Sequence, residues 1–381
     1  MRRAFFLCFL CCWAGVSWAS DLPSSSKVGS MDDAEKRLWL RSTEEEKILD
    51  ESGFLYRDEK LQDYLTRIAE KLRPEGAPDR LSFKVRIIKN PYLNAFAFPN
   101  GVLYVHTGIL ARMDNEAQLA ALLAHEMVHC IRRHALKAYM NAQERNPSHP
   151  QALAKSEGAG DPMRAFGHSE AAASMTGYSK EFEAEADTLG FSLMVKAGYD
   201  PVETLNIFKY LEEELVREKM GEEFFGSHPN LQSRIKNYQT LLDSRKEEGG
   251  IKNEEIFLEN LHGVLLDNAS LDLMAGRFFQ ARQGIEKYLK VRPDDAKAYY
   301  LLGEIFRQRG EKGDPNRAKS YYEKAISLRP SYADPYKAMG LIYFKEGERR
   351  LAKRSFETCL SLSPHASDTA YVERYLKRCG K

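Results

Sequence analysis

The sequence predicts a mainly α, α+β chain in two parts: a helical domain carrying a small β-sheet, then an all-α repeat solenoid. Three observations carry this. Apolar residues recur at helical spacing, as at Leu61, Tyr64, Leu65, Ile68 and Leu72. Strand-like alternation is confined to short stretches between Leu81 and Val105. In the last third, one pattern of glycines, aromatics and prolines occurs twice, with Pro330 and Pro364 34 residues apart.

At the N-terminus, Met1-Arg2-Arg3 and an apolar stretch from Ala4 to Val16 precede Ser17-Trp18-Ala19. A basic start, a short apolar run and small residues at the end predict a signal peptide over 1–19, cleaved after Ala19. The run is too short to span a bilayer comfortably. An uncleaved anchor, or lipid attachment at Cys8, Cys11 or Cys12, is the weaker reading. No other apolar run approaches membrane-span length, so the mature chain is expected to be exported without a transmembrane helix. A net charge of +1 gives no reason to invoke nucleic acid.

Helices are expected over Asp32–Asp50 and Asp58–Leu72, and strands over Leu81–Ile88, Asn94–Phe98 and Val102–Val105. The stretch Gly101, Val102, Leu103, Tyr104, Val105 is the candidate edge strand, able to hold an extended substrate by backbone hydrogen bonds. Helix breakers from Asn146 to Thr176 read as a flap, and its His149 and His168 as exposed loop histidines. Residues 20–245 form the first domain, 246–254 a polar linker with Gly249-Gly250, and 255–381 the repeats.

Ala124-His125-Glu126-Met127-Val128-His129 carries the chemistry. Positions four apart share a helix face, so His125 and His129 can grip one metal ion, with Glu126 placed to handle a water. A structural helix with two satisfied histidines is the bland alternative. No third histidine follows in register: the position it would occupy is Ala135, and His134, one residue off register and five past His129, points away from the ligand face. The acidic segment Ser179 to Gly190 is the best source of a third ligand. There Glu183 and Asp187 share a face, but spacing alone does not separate Glu183 from Glu181 or Glu185, and a solvated acidic face fits equally.

Of the cysteines beyond the signal segment, Cys130 reads as a small core residue; Cys359 and Cys379 could pair, which spacing cannot show. In the repeats, Tyr299, Gly303, Phe306, Gly310, Ala318, Tyr322 and Pro330 answer to Tyr336, Gly340, Tyr343, Gly347, Ala352, Phe356 and Pro364, with three residues inserted near Gly313. A weaker copy ends at Pro293, and Ser367–Arg378 suits a capping helix. These are the features of tetratricopeptide repeats. Gly303 and Gly340 let paired helices approach, and the concave face of such an array binds extended peptide or a partner protein.

H-E-x-x-H followed by E-x-x-A-D resembles the HtpX and CaaX-prenyl-protease superfamily of zinc metallopeptidases, whose fold is of the zincin type. Asn94-Ala95-Phe96-Ala97-Phe98-Pro99-Asn100-Gly101 and Ser227-His228-Pro229-Asn230-Leu231-Gln232-Ser233-Arg234-Ile235 resemble two further motifs of that superfamily. The resemblance implies one zinc ion per chain on His125, His129 and Glu183. It implies Glu126 as general base and Asp187 as the residue that fixes a ligand histidine. It also places His228 near the metal, as a regulatory fourth ligand or transition-state stabiliser, against a structural proline turn. Arg234 is then a transition-state partner or a helix-surface salt bridge.

With an export signal and repeats, the whole resembles the BepA-like periplasmic proteases. This implies a periplasmic endopeptidase that degrades misfolded or misassembled envelope and outer-membrane proteins. Its partners would be unfolded clients and, through the repeats, outer-membrane assembly machinery. The rival readings are a chaperone or adaptor with a latched or silent metal site, and a housekeeping peptidase that does not need the repeats.

Overall fold

In a computed structural model, residues 31–145, 178–218, 228, 230–245 and 249–380 are described. The signal segment and the stretch read as a flap, with His149 and His168, lie outside the described residues.

Asp32 and Asp58 accept hydrogen bonds from the amides of Glu35 and Leu61. They thereby start α1 (Asp33–Glu51) and α2 (Glu59–Leu72). Three short strands follow: β1 (Val85–Ile88), β2 (Ala95–Ala97) and β3 (Leu103–His106). Their order is β1-β3-β2, with β3 parallel to β1 and antiparallel to β2. This corrects the reading of Gly101, Val102, Leu103, Tyr104 and Val105 as an edge strand. Leu103, Tyr104 and Val105 are paired on both sides, and Gly101 and Val102 lead into that strand, all of them buried. A central strand has no free backbone row to offer a substrate.

After α3 (Thr107–Arg112) comes α4 (Glu116–Ile131), capped by Asn115, whose side chain accepts from the Gln118 amide. Apolar on all sides and buried almost throughout, α4 takes the centre of the domain. Around it stand α2, the sheet, α6 (Lys180–Lys196) and α7 (Glu203–Glu218), with α5 (His134–Arg145) and α8 (Leu231–Asp243) at its flanks. The small faces Ala186 and Gly190 let α6 approach α4. A Cβ at Gly190 would lie 3.3 Å from the His125 amide nitrogen.

The segment read as a linker is strapped down over residues 249–254. Ile251 bridges to Tyr199, the Lys252 carbonyl accepts from the Glu116 amide, and Lys252 Nζ donates to Glu203 at 2.6 Å. The next helix, α9 (Glu254–Met274), starts inside the first domain, burying Phe257, Leu261 and Val264 in its core. From there the chain pairs α9 with α10 (Phe278–Val291), α11 (Ala296–Arg309) with α12 (Asp314–Leu328), and α13 (Ala333–Glu346) with α14 (Arg349–Leu362). The capping helix is α15 (Thr369–Cys379). Gly303 faces the Tyr322 ring and Gly340 the Phe356 ring so closely that a Cβ would overlap either. Cys130 is a buried core thiol, and Cys359 and Cys379 are free thiols in one terminal apolar cluster.

A buried ionic network joins the two parts. Arg277, between α9 and α10, pairs with Glu214 of α7 and donates to Asp272 at 2.7 Å. Lys287 donates to the carbonyls of Ala111, Arg112 and Met113 at the end of α3. Removing one member of a buried ion pair strands the others, at about 3–5 kcal/mol. Arg277→Met is therefore expected to lower the urea midpoint of the full chain, and Glu214→Gln added to it should recover part of the loss. Equal midpoints for wild type and Arg277→Met would show that the network does not hold the parts together.

Candidate metal centre

The first donors come from α4. Nε2 of His125 and Nε2 of His129 lie 3.1 Å apart. Glu183, from the first turn of α6, sets Oε2 3.5 Å from His125 Nε2 and Oε1 3.5 Å from His129 Nε2. His228 brings Nδ1 to 3.2 Å from both His125 Nε2 and Glu183 Oε1. These four residues each offer a ligand atom, all within 4.8 Å of one another. A tetrahedral ion with bonds of about 2.0–2.2 Å spaces its donors about 3.3–3.6 Å apart, so the set fits a zinc-sized cation.

The neighbours fix which nitrogen faces the cluster. Asp187 Oδ1 sits 3.0 Å from His125 Nδ1, and a carboxylate only accepts, so Nδ1 carries a proton and Nε2 is the nitrogen turned to the cluster. Behind His129 stands His134, Nδ1 to Nδ1 at 2.9 Å, with its Nε2 2.9 Å from Glu185 Oε2. Burial, opposed by Glu185, holds the His134 pKa at about 4, so the ring is neutral. It donates from Nε2 to Glu185 and accepts at Nδ1, which makes His129 the donor there and frees His129 Nε2. The two Nε2 atoms thus face each other at 3.1 Å beside Glu183 and His228, where one cation would reach all four residues.

His134 is the residue that the sequence reading misplaced. On an unbroken helix it would lie about 140° around from His129. Instead α4 ends at Ile131, Arg133 takes a left-handed φ of 55°, and α5 begins at His134 on the near side. Phe182 stacks on His134 at 4.5 Å and Tyr178 on His129 at 4.0 Å, locking both rings. The acidic face is thus split by function: Glu183 and Asp187 turn inward, Glu185 backs His134, and Glu181 stands exposed.

Arg234 is buried and clamps Asp187 through Nε and Nη2 at 2.8 and 2.7 Å, with Nη1 3.1 Å from Glu183 Oε2. Its guanidinium is held as a salt bridge to two site carboxylates. Burial would raise the Asp187 pKa, but the Arg234 charge and hydrogen bonds outweigh it and hold it at about 2. Glu183, also opposed by burial, is pushed well below the usual carboxylate range by His228 and Arg234. Both stay anionic at neutral pH. Glu126 is buried, and neither carboxylate oxygen has an aligned hydrogen-bond partner. His228 Nε2 approaches Oε1 to 3.2 Å, out of line for a hydrogen bond. An orphaned buried carboxylate beside a donor cluster is a group arranged for a proton that is not the protein's own.

Two helix-borne histidines, a carboxylate from a second helix and a neighbouring buried glutamate are the donor arrangement of the H-E-x-x-H class of metal-dependent hydrolases. Residues 56–242 match the model of peptidase family M48, and residues 296–332 and 333–365 match that of the tetratricopeptide repeat. The chain is similar to the beta-barrel assembly-enhancing protease of Escherichia coli, 28% identical over 196 residues, covering 48% of this chain and 39% of that protein. A putative protein of the same name from Vibrio cholerae is 27% identical over 190 residues, covering 47% and 38%. A mitochondrial metalloendopeptidase of Schizosaccharomyces pombe is 27% identical over 184 residues, covering 47% and 52%. The alignments thus span about two fifths of the bacterial relatives' length.

Groups that orient a metal-bound histidine typically contribute 10–100-fold in metal affinity. His134→Ala is expected to weaken zinc binding by about that factor in a chelator competition on the full chain, with Glu185→Gln following in the same direction. Unchanged affinity in both would reduce the His134–Glu185 pair to core packing.

Proposed function

We propose that the chain is a zinc-dependent endopeptidase of the bacterial periplasm that cleaves misfolded or misassembled envelope and outer-membrane proteins. The observation that carries it is the meeting of His125, His129, Glu183 and His228 beside the unpartnered carboxylate of Glu126. His125, His129 and Glu183 would hold the ion. When bound, zinc polarises a water and the scissile carbonyl. Glu126 takes a proton from the attacking water and returns it to the leaving amine. Asp187 keeps the His125 proton on Nδ1, and Arg234 holds Asp187 and Glu183 in place while offsetting their charge.

The setting follows from three observations together. The N-terminal segment reads as an export signal, no helix among the described residues is long and apolar enough to cross a membrane, and the bacterial relatives bear names tied to β-barrel assembly. The repeats supply recruitment, of clients or of the outer-membrane assembly machinery. Glu126→Gln is expected to retain zinc and the fold and to lose cleavage of an unfolded client by about 10²–10⁴-fold, the usual worth of a general base. Cleavage at the wild-type rate would remove Glu126 from that role.

One observation favours a restrained resting state. His228 stands among the four donors, where a water and substrate would otherwise enter. As fourth ligand it would latch the site, a state in which the repeats act as chaperone or adaptor without cleavage. His228→Ala is then expected to keep one zinc per chain and to raise the initial rate on an unfolded client. A fall in rate at full zinc would instead make His228 a transition-state stabiliser.

A further inference from the structure

Beside the metal centre the domain encloses a cavity of about 70 Å³. One ordered water needs about 10–15 Å³ of such space, so the cavity takes a side chain of leucine or methionine size. Its lining includes His125, Glu126 and His228, and so it adjoins the donor cluster itself. Its interior is apolar, with Leu93, Ile109, Phe191, Met194, Ile207 and Phe208 among the walls. The room exists because the facing helices carry small residues there, Ala121 on α4 and Ala186 and Gly190 on α6.

Of the polar groups in the lining, those of Thr204, Tyr238 and Arg234 are already engaged. The Thr204 and Tyr238 hydroxyls bond to each other at 2.7 Å, and Tyr238 also donates to the Pro201 carbonyl. Arg234 is committed to Asp187 and Glu183. An acidic side chain entering here would lose its water and meet the Glu126 carboxylate in the lining, with the cation of Arg234 already taken. The far wall is firm, since α7 is fastened on its outer side by the buried Glu214–Arg277 pair. A preformed apolar recess rewards a filling side chain and discriminates by volume.

We infer that this cavity is the primary specificity subsite, which takes a medium-sized aliphatic or thioether side chain of the substrate residue flanking the scissile bond. It rests on the peptidase reading and adds to it the class of bond cut: one beside Leu, Met or Ile, and not beside Asp or Glu.

The test uses the zinc-loaded full chain and an unbiased peptide library, with cleavage sites read by mass spectrometry. Leu and Met should exceed Ala by about tenfold or more at one flanking position, the worth of a few methylenes in a fitted pocket. Ala121→Leu narrows the recess and should shift the preference towards Ala and Gly. Ile207→Ala widens it and should shift the preference towards Phe and Trp. Zinc content and circular dichroism show which variants are intact, and opposite shifts from the two changes guard against a single misfolded protein. An even profile, or an apolar preference that neither intact variant moves, overturns the subsite while leaving the peptidase reading standing. A second measurement separates the two claims: affinities of peptide hydroxamates bearing Leu, Ala or Asp side chains, read by thermal shift. If no peptide is cleaved yet the leucyl hydroxamate binds best, the subsite stands and the peptidase reading falls. If the three bind alike, the subsite falls.

Discussion

Three carboxylates buried around one point constrain everything near the metal centre. Glu126, Glu183 and Asp187 are each 5% exposed or less. Burying an ionised carboxylate costs several kcal/mol unless a cation and hydrogen bonds compensate. Arg234 supplies one compensating charge, held between Asp187 and Glu183, and the four-donor cluster is arranged for another. This need for cations helps to place α8: between the buried Leu231 and Tyr238 it carries the arginine that the acid pair on α6 requires. His228 travels with it. Only a short segment separates His228 from α8, and Asn230 turns that segment through a left-handed φ of 68°. Clamp and fourth donor are thus consequences of one helix being held by one charge pair.

The same economy of elements appears in α7. Its inner face, with Thr204, Ile207 and Phe208, walls the cavity next to the metal centre. Its outer face, with Glu214, meets Arg277 and Gln280 of the first helix pair of the array. α9 begins within the core of the first domain and ends within the array, so one continuous helix joins the two. Catalytic cleft and repeats are consequently parts of one packed body. A force on α10 reaches the cleft through a single helix whose side chains are buried on both sides.

Much of this was legible because it is local. His125 with His129, and Glu183 with Asp187, are four apart, and helical geometry alone puts each pair on one face. Gly303 against Tyr322 and Gly340 against Phe356 follow from a repeat that must close on itself. What stayed hidden depends on chain reversals or distant partners. Alternation announced a strand at Leu103–Val105 but not its central place, since strand order is decided by the connections between strands. His134 was misread because a single left-handed residue, Arg133, ended the helix that the spacing argument assumed to continue. The Arg277–Glu214–Asp272 network joins elements far apart in sequence, and isolated charges in surface-like helices give no sign of burial. The choice of Glu183 over Glu181 and Glu185 needed the second motif's register, because three glutamates at alternate positions on a helix carry no label.

The central position of β3 also bears on how substrate selection is built. A peptidase that holds its substrate along a sheet edge reads mainly backbone, and so tolerates most sequences in an extended strand. Here β3 is fully paired and the flanking β2 is buried, with Ala95, Phe96 and Ala97 at 2–3% exposure. The surface facing the metal centre is instead assembled from α4, α6, α7 and α8, with Asn94 and Ala95 contributing at one corner. Helices present side chains rather than free amides and carbonyls, so contact with them discriminates by the shape and polarity of what enters. Contact at the cleft is then a matter of individual residues, whereas the repeats are the part of the molecule suited to presenting a long concave surface.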